Sequence, residues 1–182
     1  NLDLSNGSLD ADRHKCNGLP LDICFGAIDF VDGFYQFAWQ YLASWFAFDL
    51  VVSAGDFGVS SVFDESCGQH IPIEPETRLF ACLSTLRMGW SWGVFSCGNV
   101  LEKCMLAGEG LRGVDAAIVE SRLLHDHSQP PRLAQGLPNL AAYVDNGNII
   151  AWDAADARAA LDSLCEVLSE KQLLFRVEAD CT

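Results

Sequence analysis

The segment 140–152, LAAYVDNGNIIAW, places the tightest local constraint on what this chain can fold into. Two short apolar runs, 140–144 and 148–152, flank Asp145-Asn146-Gly147. Asn-Gly between apolar runs is the strongest short-range hairpin signal, because both residues accept the positive φ that the favoured two-residue turn demands. The expectation is therefore a β-hairpin with Asn146 and Gly147 in its turn. A second strand is read at 23–30, ICFGAIDF, which is apolar apart from Asp29 and suited to burial on both faces. Asp29 and Asp145 thus stand in otherwise apolar strand contexts, with no basic residue within a few positions of either. A carboxylate buried on a strand is costly unless it is paired, protonated or bound to a cation. If the two strands are neighbours, the carboxylates can share divalent cations, and hard oxygen ligands favour magnesium. For Asp145 the competing reading is a residue that merely starts a turn.

The rest of the chain supplies alternating helical and extended patterns. Residues 1–20 are polar, broken by Gly7, Gly18 and Pro20, and read as a loosely attached arm ahead of a domain covering 21–182. In 34–48, Phe34, Phe37, Tyr41, Trp45 and Phe48 recur at helical spacing, so a helix is expected there. The same region, 34–54, is apolar enough that contact with a membrane is an alternative, weakened by the cost of burying Asp49 in lipid. Insertions are read near 53–78, as a loop or β-excursion, and near 107–139, with one short helix at about 114–124. Between them, 79–86 suits a strand before a Gly-Trp turn, and Ser91 can cap a helix with Val94, Gly98, Leu101 and Met105 on one face. Asp153 can cap a later helix whose buried stripe is Ala157, Leu161, Leu164 and Leu168, and 173–177, LLFRV, closes as a strand.

Composition bounds the function. The 182 residues suit one core, and a mean hydropathy of +0.16 with half the residues apolar excludes a disordered chain. A formal charge of -14 repels polyanions, so any nucleic-acid function has to overcome it. Eight scattered cysteines do not make a disulfide scaffold; they read as mostly reduced, buried thiols in an intracellular or organellar setting. Cys67 and His70, with His125 and His127, are zinc-ligand types that nothing in the sequence brings together. A chain starting at Asn1 without Met reads as a processed product or a fragment.

Three motifs then fall in a recognisable order. AIDFVDGFYQF, 27–37, resembles the first catalytic motif of reverse transcriptases, an aspartate on a strand followed five residues later by an aromatic. LRMGWSWG, 86–93, resembles their glycine-containing second motif, and YVDN, 143–146, their Tyr-x-Asp-Asp hairpin. The helix and strand that follow are similar to the element after that hairpin in gypsy-type retrotransposon polymerases, and Gly-Trp-Ser-Trp resembles the form found in divergent retroelements of algal protists. The resemblance spans roughly 22–181. It implies an α+β fold, a reverse-transcriptase-like palm with a small antiparallel sheet backed by helices.

It also implies roles for single residues. Asp29 and Asp145 would hold two Mg2+ ions for nucleotidyl transfer, with the main-chain carbonyl of Phe30 as a further metal ligand. Phe34 would lie beneath the sugar of the incoming deoxynucleotide and exclude a 2'-hydroxyl. Gly89 would let the template and nascent base pair approach the backbone, and Tyr143 would pack beside the primer terminus. For Phe34 and Tyr143 the alternative is ordinary core packing. The partners implied are an RNA or DNA primer-template and deoxynucleoside triphosphates.

Departures from the family pattern are specific. Asn146 replaces a second aspartate, Arg87 and Met88 replace the usual proline and glutamine, and 178–180 lacks the customary lysine. With 28 residues before Asp29 and Thr182 as the last residue given, the expectation is a palm without fingers or thumb. The isolated chain is thus expected to extend primers little or not at all. The alternative from another class is a non-catalytic structural subunit that buries its aromatic segment against protein or membrane in a larger assembly.

Overall fold

In the computed structural model the described residues are 23–125 and 128–179, together with the main chain at Lys15–Cys16 (β1) and Leu19–Pro20 (β2), which pair antiparallel. The N-terminal arm otherwise lies outside the described residues, as does His127. The chain divides into two compact units. One takes its described residues from 1–34 and 91–182; the other is 35–90.

The first unit is built on a four-stranded antiparallel sheet. Cys24–Phe30 forms β3, Asn139–Tyr143 β8, Asn146–Ala151 β9 and Phe175–Ala179 β10, in the spatial order β10-β3-β9-β8. Ile28 lies opposite Gly147, Gly26 opposite Ile149, and Leu140 opposite Ile149, so these residues share the face that the helices cover. Two helices supply that cover, α2 (Ser91–Leu111) against β8 and β9, and α4 (Ala154–Glu170) against β3 and β9. They also pack on each other, at a point where a Cβ on Gly108 would come within 3.1 Å of the Leu164 main chain. That close approach explains a helical glycine which propensity alone would disfavour.

Sequence and structure agree closely in α4. Asp153 is the N-cap, its carboxylate accepting from the Ala155 amide at 2.7 Å. Ala157, Leu161, Leu164 and Leu168 are all buried, with Ala160 and Val167 widening the stripe. The helix stops in a Schellman arrangement: Gln172 has φ 58°, its amide bonds the Ser169 carbonyl, and the Leu173 amide bonds that of Leu168. Leu173 and Leu174 then lead into β10. In α2, Cys97, Leu101, Cys104 and Met105 are buried, whereas Val94, expected on that face, is exposed a full turn before the packed region begins. The short helix expected near 114–124 is α3, Ala116–Arg122, capped by Asp115.

Burial of β3 on both faces is corrected. Only one face carries helices, so Phe25 points to solvent while Cys24, Ile28 and Phe30 are buried. An antiparallel sheet covered on one side tolerates this, because its other face can meet water.

The 35–90 unit departs most from the sequence reading. The helix expected over 34–48 is replaced by one turn, α1 (Gly33–Gln36), a 3-10 turn (Gln40–Ser44), and then β4 (Ala47–Ser53). Aromatic side chains lose rotamer freedom in a helix, and here the main chain finds a ladder instead. The Trp39 amide bonds the Ser84 carbonyl and the Leu86 amide that of Phe37, extending the pairing of β4 with β7 (Arg78–Cys82). Trp39, Tyr41, Trp45 and Phe48 are consequently exposed. The 53–78 stretch is indeed a β-excursion, with β5 (Ser61–Asp64) and β6 (Gln69–Pro72) as a hairpin. Among the described residues no helix is long and apolar enough to cross a membrane.

Candidate functional site

The expected hairpin at 140–152 is present, but its turn falls two residues earlier than the sequence indicated. Tyr143 pairs with Asn146, leaving Val144 and Asp145 as the loop, and Asn146 and Gly147 belong to β9. Positive φ at the first loop residue alone, 58° at Val144, is the pattern of a type II' turn. Gly147 is a glycine for a different reason. A Cβ there would lie 2.9 Å from the Met105 side chain and 3.0 Å from Ile28, so the position is selected by helix-on-sheet packing. A β-branched residue in the left-handed region is strained, and that strain sits directly beside Asp145.

This geometry sets Asp29 and Asp145 at the same end of the β3–β9 pair. Asp29 lies opposite Asn146 in the ladder, and the next amide along, that of Phe30, donates to the Asp145 carbonyl at 3.0 Å. Asp145 is backed by Gly33 at the start of α1, where a Cβ would come within 3.0 Å of the Asp145 Cβ. Asn146 Nδ2 donates to Asp145 Oδ1 at 3.1 Å. Asn146 therefore supplies a neutral hydrogen bond where a second aspartate would add like charge. Beneath the hairpin, Cys97 is buried, and burial first, then the negative charge of Asp145, push its thiol up to about 11.

No basic residue lies within a few positions of Asp29 in the sequence, but the topology brings one to it. Arg176 on β10 lies directly opposite Asp29, and its Nη2 is 2.8 Å from Asp29 Oδ2. Its Nε also meets Glu178 Oε1 at 2.5 Å. The sequence held a signal for this partner: an arginine inside the apolar strand LLFRV needs a carboxylate as much as Asp29 needs a cation. A row thus crosses the uncovered face of the sheet, Arg176, Asp29, Asn146 and Tyr143, one residue from each strand.

The remaining residues drawn from the resemblance are placed as follows. Phe34, in α1, is only 7 % exposed, whereas Tyr143 at the end of β8 is 74 % exposed. Phe30 has a buried side chain. Gly89 lies in the 35–90 unit with φ 84°, in a turn closed by the Trp90 amide on the Arg87 carbonyl. Cys24, Cys97 and Cys104 are buried, while Cys67 and Cys82 are exposed.

Among the described residues no group of three or more acidic, histidine or cysteine side chains is arranged to hold a metal ion. Asp29 and Asp145 offer two carboxylates. That donor set is minimal but of the right kind for Mg2+, which retains several waters and takes one or two carboxylates together with substrate phosphates. No protein-family model matches the sequence, and no curated protein is recognisably similar to it.

Proposed function

We propose that the chain is a reverse-transcriptase-like palm whose chemistry is two-metal nucleotidyl transfer. The observation that carries this reading is the placement of Asp29 and Asp145 at one end of an antiparallel sheet, on a strand and on a strained hairpin turn, with the Phe30 amide bonded to the Asp145 carbonyl. Mg2+ held by the two carboxylates, with the Phe30 carbonyl as a further ligand, would activate the primer 3'-hydroxyl and stabilise the charge on departing pyrophosphate. The protein's own contribution is positional. Val144 and Gly33 fix the main chain around Asp145, while the β3–β9 ladder fixes Asp29. Tyr143, exposed on the same face as Asp29, offers an aromatic surface to a primer terminus, and Phe34 supports the start of α1. The substrates on this reading are an RNA or DNA primer-template and deoxynucleoside triphosphates.

Primer extension at low salt with Mg2+ or Mn2+ tests the reading, with Asp29→Ala and Asp145→Ala as controls. The expected outcome is weak extension, fading as salt rises because so acidic a chain displaces few counterions, and absent from both variants. Extension unaffected by the substitutions overturns it.

A second reading, a non-catalytic structural subunit of a larger protein or membrane-associated assembly, is favoured by a specific observation. Trp39, Tyr41, Trp45, Phe48 and Leu50 are all exposed within one short stretch of the 35–90 unit. Exposed apolar patches of this kind mark interaction surfaces. Stable co-purification in a complex, combined with no extension, selects this alternative.

A further inference from the structure

We infer that Arg176 is the resident counter-cation of Asp29 and gates divalent-cation binding there, with Glu178 as the second anchor that lets the guanidinium leave. This rests on the reading of Asp29 and Asp145 as a metal-binding pair. The aspartate is fixed: it sits on a central strand, and its side chain is 15 % exposed. The arginine is not. It projects from the edge strand β10 with 66 % of its side chain in solvent. Between Val177 and Ala179 the register with β3 shifts, so Glu178 has no opposite residue there and stands beside Arg176.

A half-buried carboxylate needs a compensating charge, and without a metal ion the guanidinium supplies it. An incoming divalent cation would meet that positive charge at the oxygen it has to coordinate, so the arginine must withdraw. Glu178 makes withdrawal cheap, because the guanidinium keeps one carboxylate when it gives up the other. Arginine stays protonated throughout, so the exchange is a competition between cations and involves no proton.

Mn2+ binding to the full chain, followed by the electron paramagnetic resonance of the free ion, is the test. Arg176→Gln is expected to tighten binding about tenfold, the scale of removing a unit positive charge a few ångströms from the ion. Glu178→Gln, which leaves the arginine only Asp29, is expected to weaken it about threefold. Lys103→Gln removes the same charge from α2 and should change binding by less than about twofold. The gain in Arg176→Gln should vanish when Asp29→Asn is added. In the unsubstituted chain, Mg2+ should shift the Arg176 Nε–H resonance in NMR spectra, a measurement that needs no variant to fold. Binding that depends on Asp29 and Asp145 but is unchanged by Arg176→Gln, or is changed equally by Lys103→Gln, overturns the gating role alone. A still Arg176 resonance during a titration that saturates the site does the same. Absence of Mn2+ binding in every protein overturns the metal-binding pair, and the gate with it.

Discussion

The two units of this chain spend their apolar residues in opposite ways. In the sheet unit, Ile28, Phe30, Leu101, Met105, Ile149, Leu161, Leu164 and Leu168 are buried between one sheet face and two helices. In 35–90, a stretch rich in aromatics, only Leu42, Ala54 and Leu86 are buried. Its strands form two separate two-stranded ribbons, and no helix longer than a turn or so accompanies them. A ribbon of two strands has no second layer against which to bury a face, and such ribbons are marginal in water on their own. Apolar content alone therefore does not make a core; the sheet unit has one because α2 and α4 close over it. The candidate site lies on the well-packed unit, which gives Asp29 and Asp145 a rigid base.

The widest gap should appear when a large side chain is removed from each unit. Leu101→Ala empties a fully buried position on α2 and is expected to cost about 2–5 kcal/mol in urea unfolding. Trp45→Ala removes a larger but exposed side chain and should stay within about 0.5 kcal/mol of the parent. Equal losses would show that 35–90 buries its aromatics as thoroughly as the sheet unit does. Amide exchange should agree, with slow exchange in β3 and β9 and fast exchange in β5 and β6.

Gly147 comes next in size. Val at this position would push Cβ against Ile28 and Met105, with an expected cost of about 1–3 kcal/mol from overpacking. Gly89→Val provides the contrast in the other unit: a Cβ there has open space around it, so its cost comes from φ 84° and not from crowding. A second substitution, Met105→Ala, should recover part of the Gly147→Val loss and none of the Gly89→Val loss.

These two glycines also show where the sequence was legible and where it was not. Asp145-Asn146-Gly147 announced a hairpin correctly, because alternating apolar runs around turn-forming residues fix strand pairing to within a residue or two. The turn itself moved to Val144-Asp145 because Gly147 is required under Met105, a tertiary demand that no local pattern carries. Helix α4 was legible in its cap and its stripe, since both are local signals. The aromatic stretch 34–48 was not. Its helical spacing described a stripe, yet a stripe makes a helix only if something covers it, and the main chain paired with 84–86 instead. At the site, the two lone aspartates were visible as anomalies in apolar strands. Arg176, the charge that answers Asp29, became visible only when the strand order β10-β3-β9 was known.

The thiols sharpen the comparison on a smaller scale. Cys97 lies buried beneath the hairpin, with its thiol pushed up to about 11 by burial and Asp145, whereas Cys67 and Cys82 in the other unit are exposed. A thiol whose folded pKa lies above its unfolded value of 9.0 leaves stability intact below pH 9 and erodes it as pH climbs from 9 towards 11. Unfolding free energies measured across that range should fall by up to about 2 kcal/mol more in the parent than in Cys97→Ala. Alkylation of the native chain at pH 8 should modify Cys67 and Cys82 first. Rapid labelling of Cys97 would mean that the hairpin opens as easily as the ribbons of 35–90.

The smallest effect is expected at Val144, and it runs in the opposite direction. With φ at 58°, valine pays a steric cost that glycine would not, so Val144→Gly should relieve strain in the folded state. Glycine also loses more backbone freedom on folding, which offsets part of the gain, and the net change should be a stabilisation of about 0.5 kcal/mol or less. What the strain holds in place is the main chain of Asp145, whose carbonyl accepts from Phe30 and whose side chain accepts from Asn146. A freer turn should loosen that geometry. Mn2+ affinity should therefore drop in Val144→Gly even though the chain is no less stable. A control at Gly58, which already has φ 65° in a 3-10 cap of the other unit, should show the reverse pattern: Gly58→Val loses stability and leaves Mn2+ affinity unchanged. If Val144→Gly leaves both quantities unchanged, the positive φ at the hairpin is an ordinary feature of a tight turn and contributes nothing to holding Asp145.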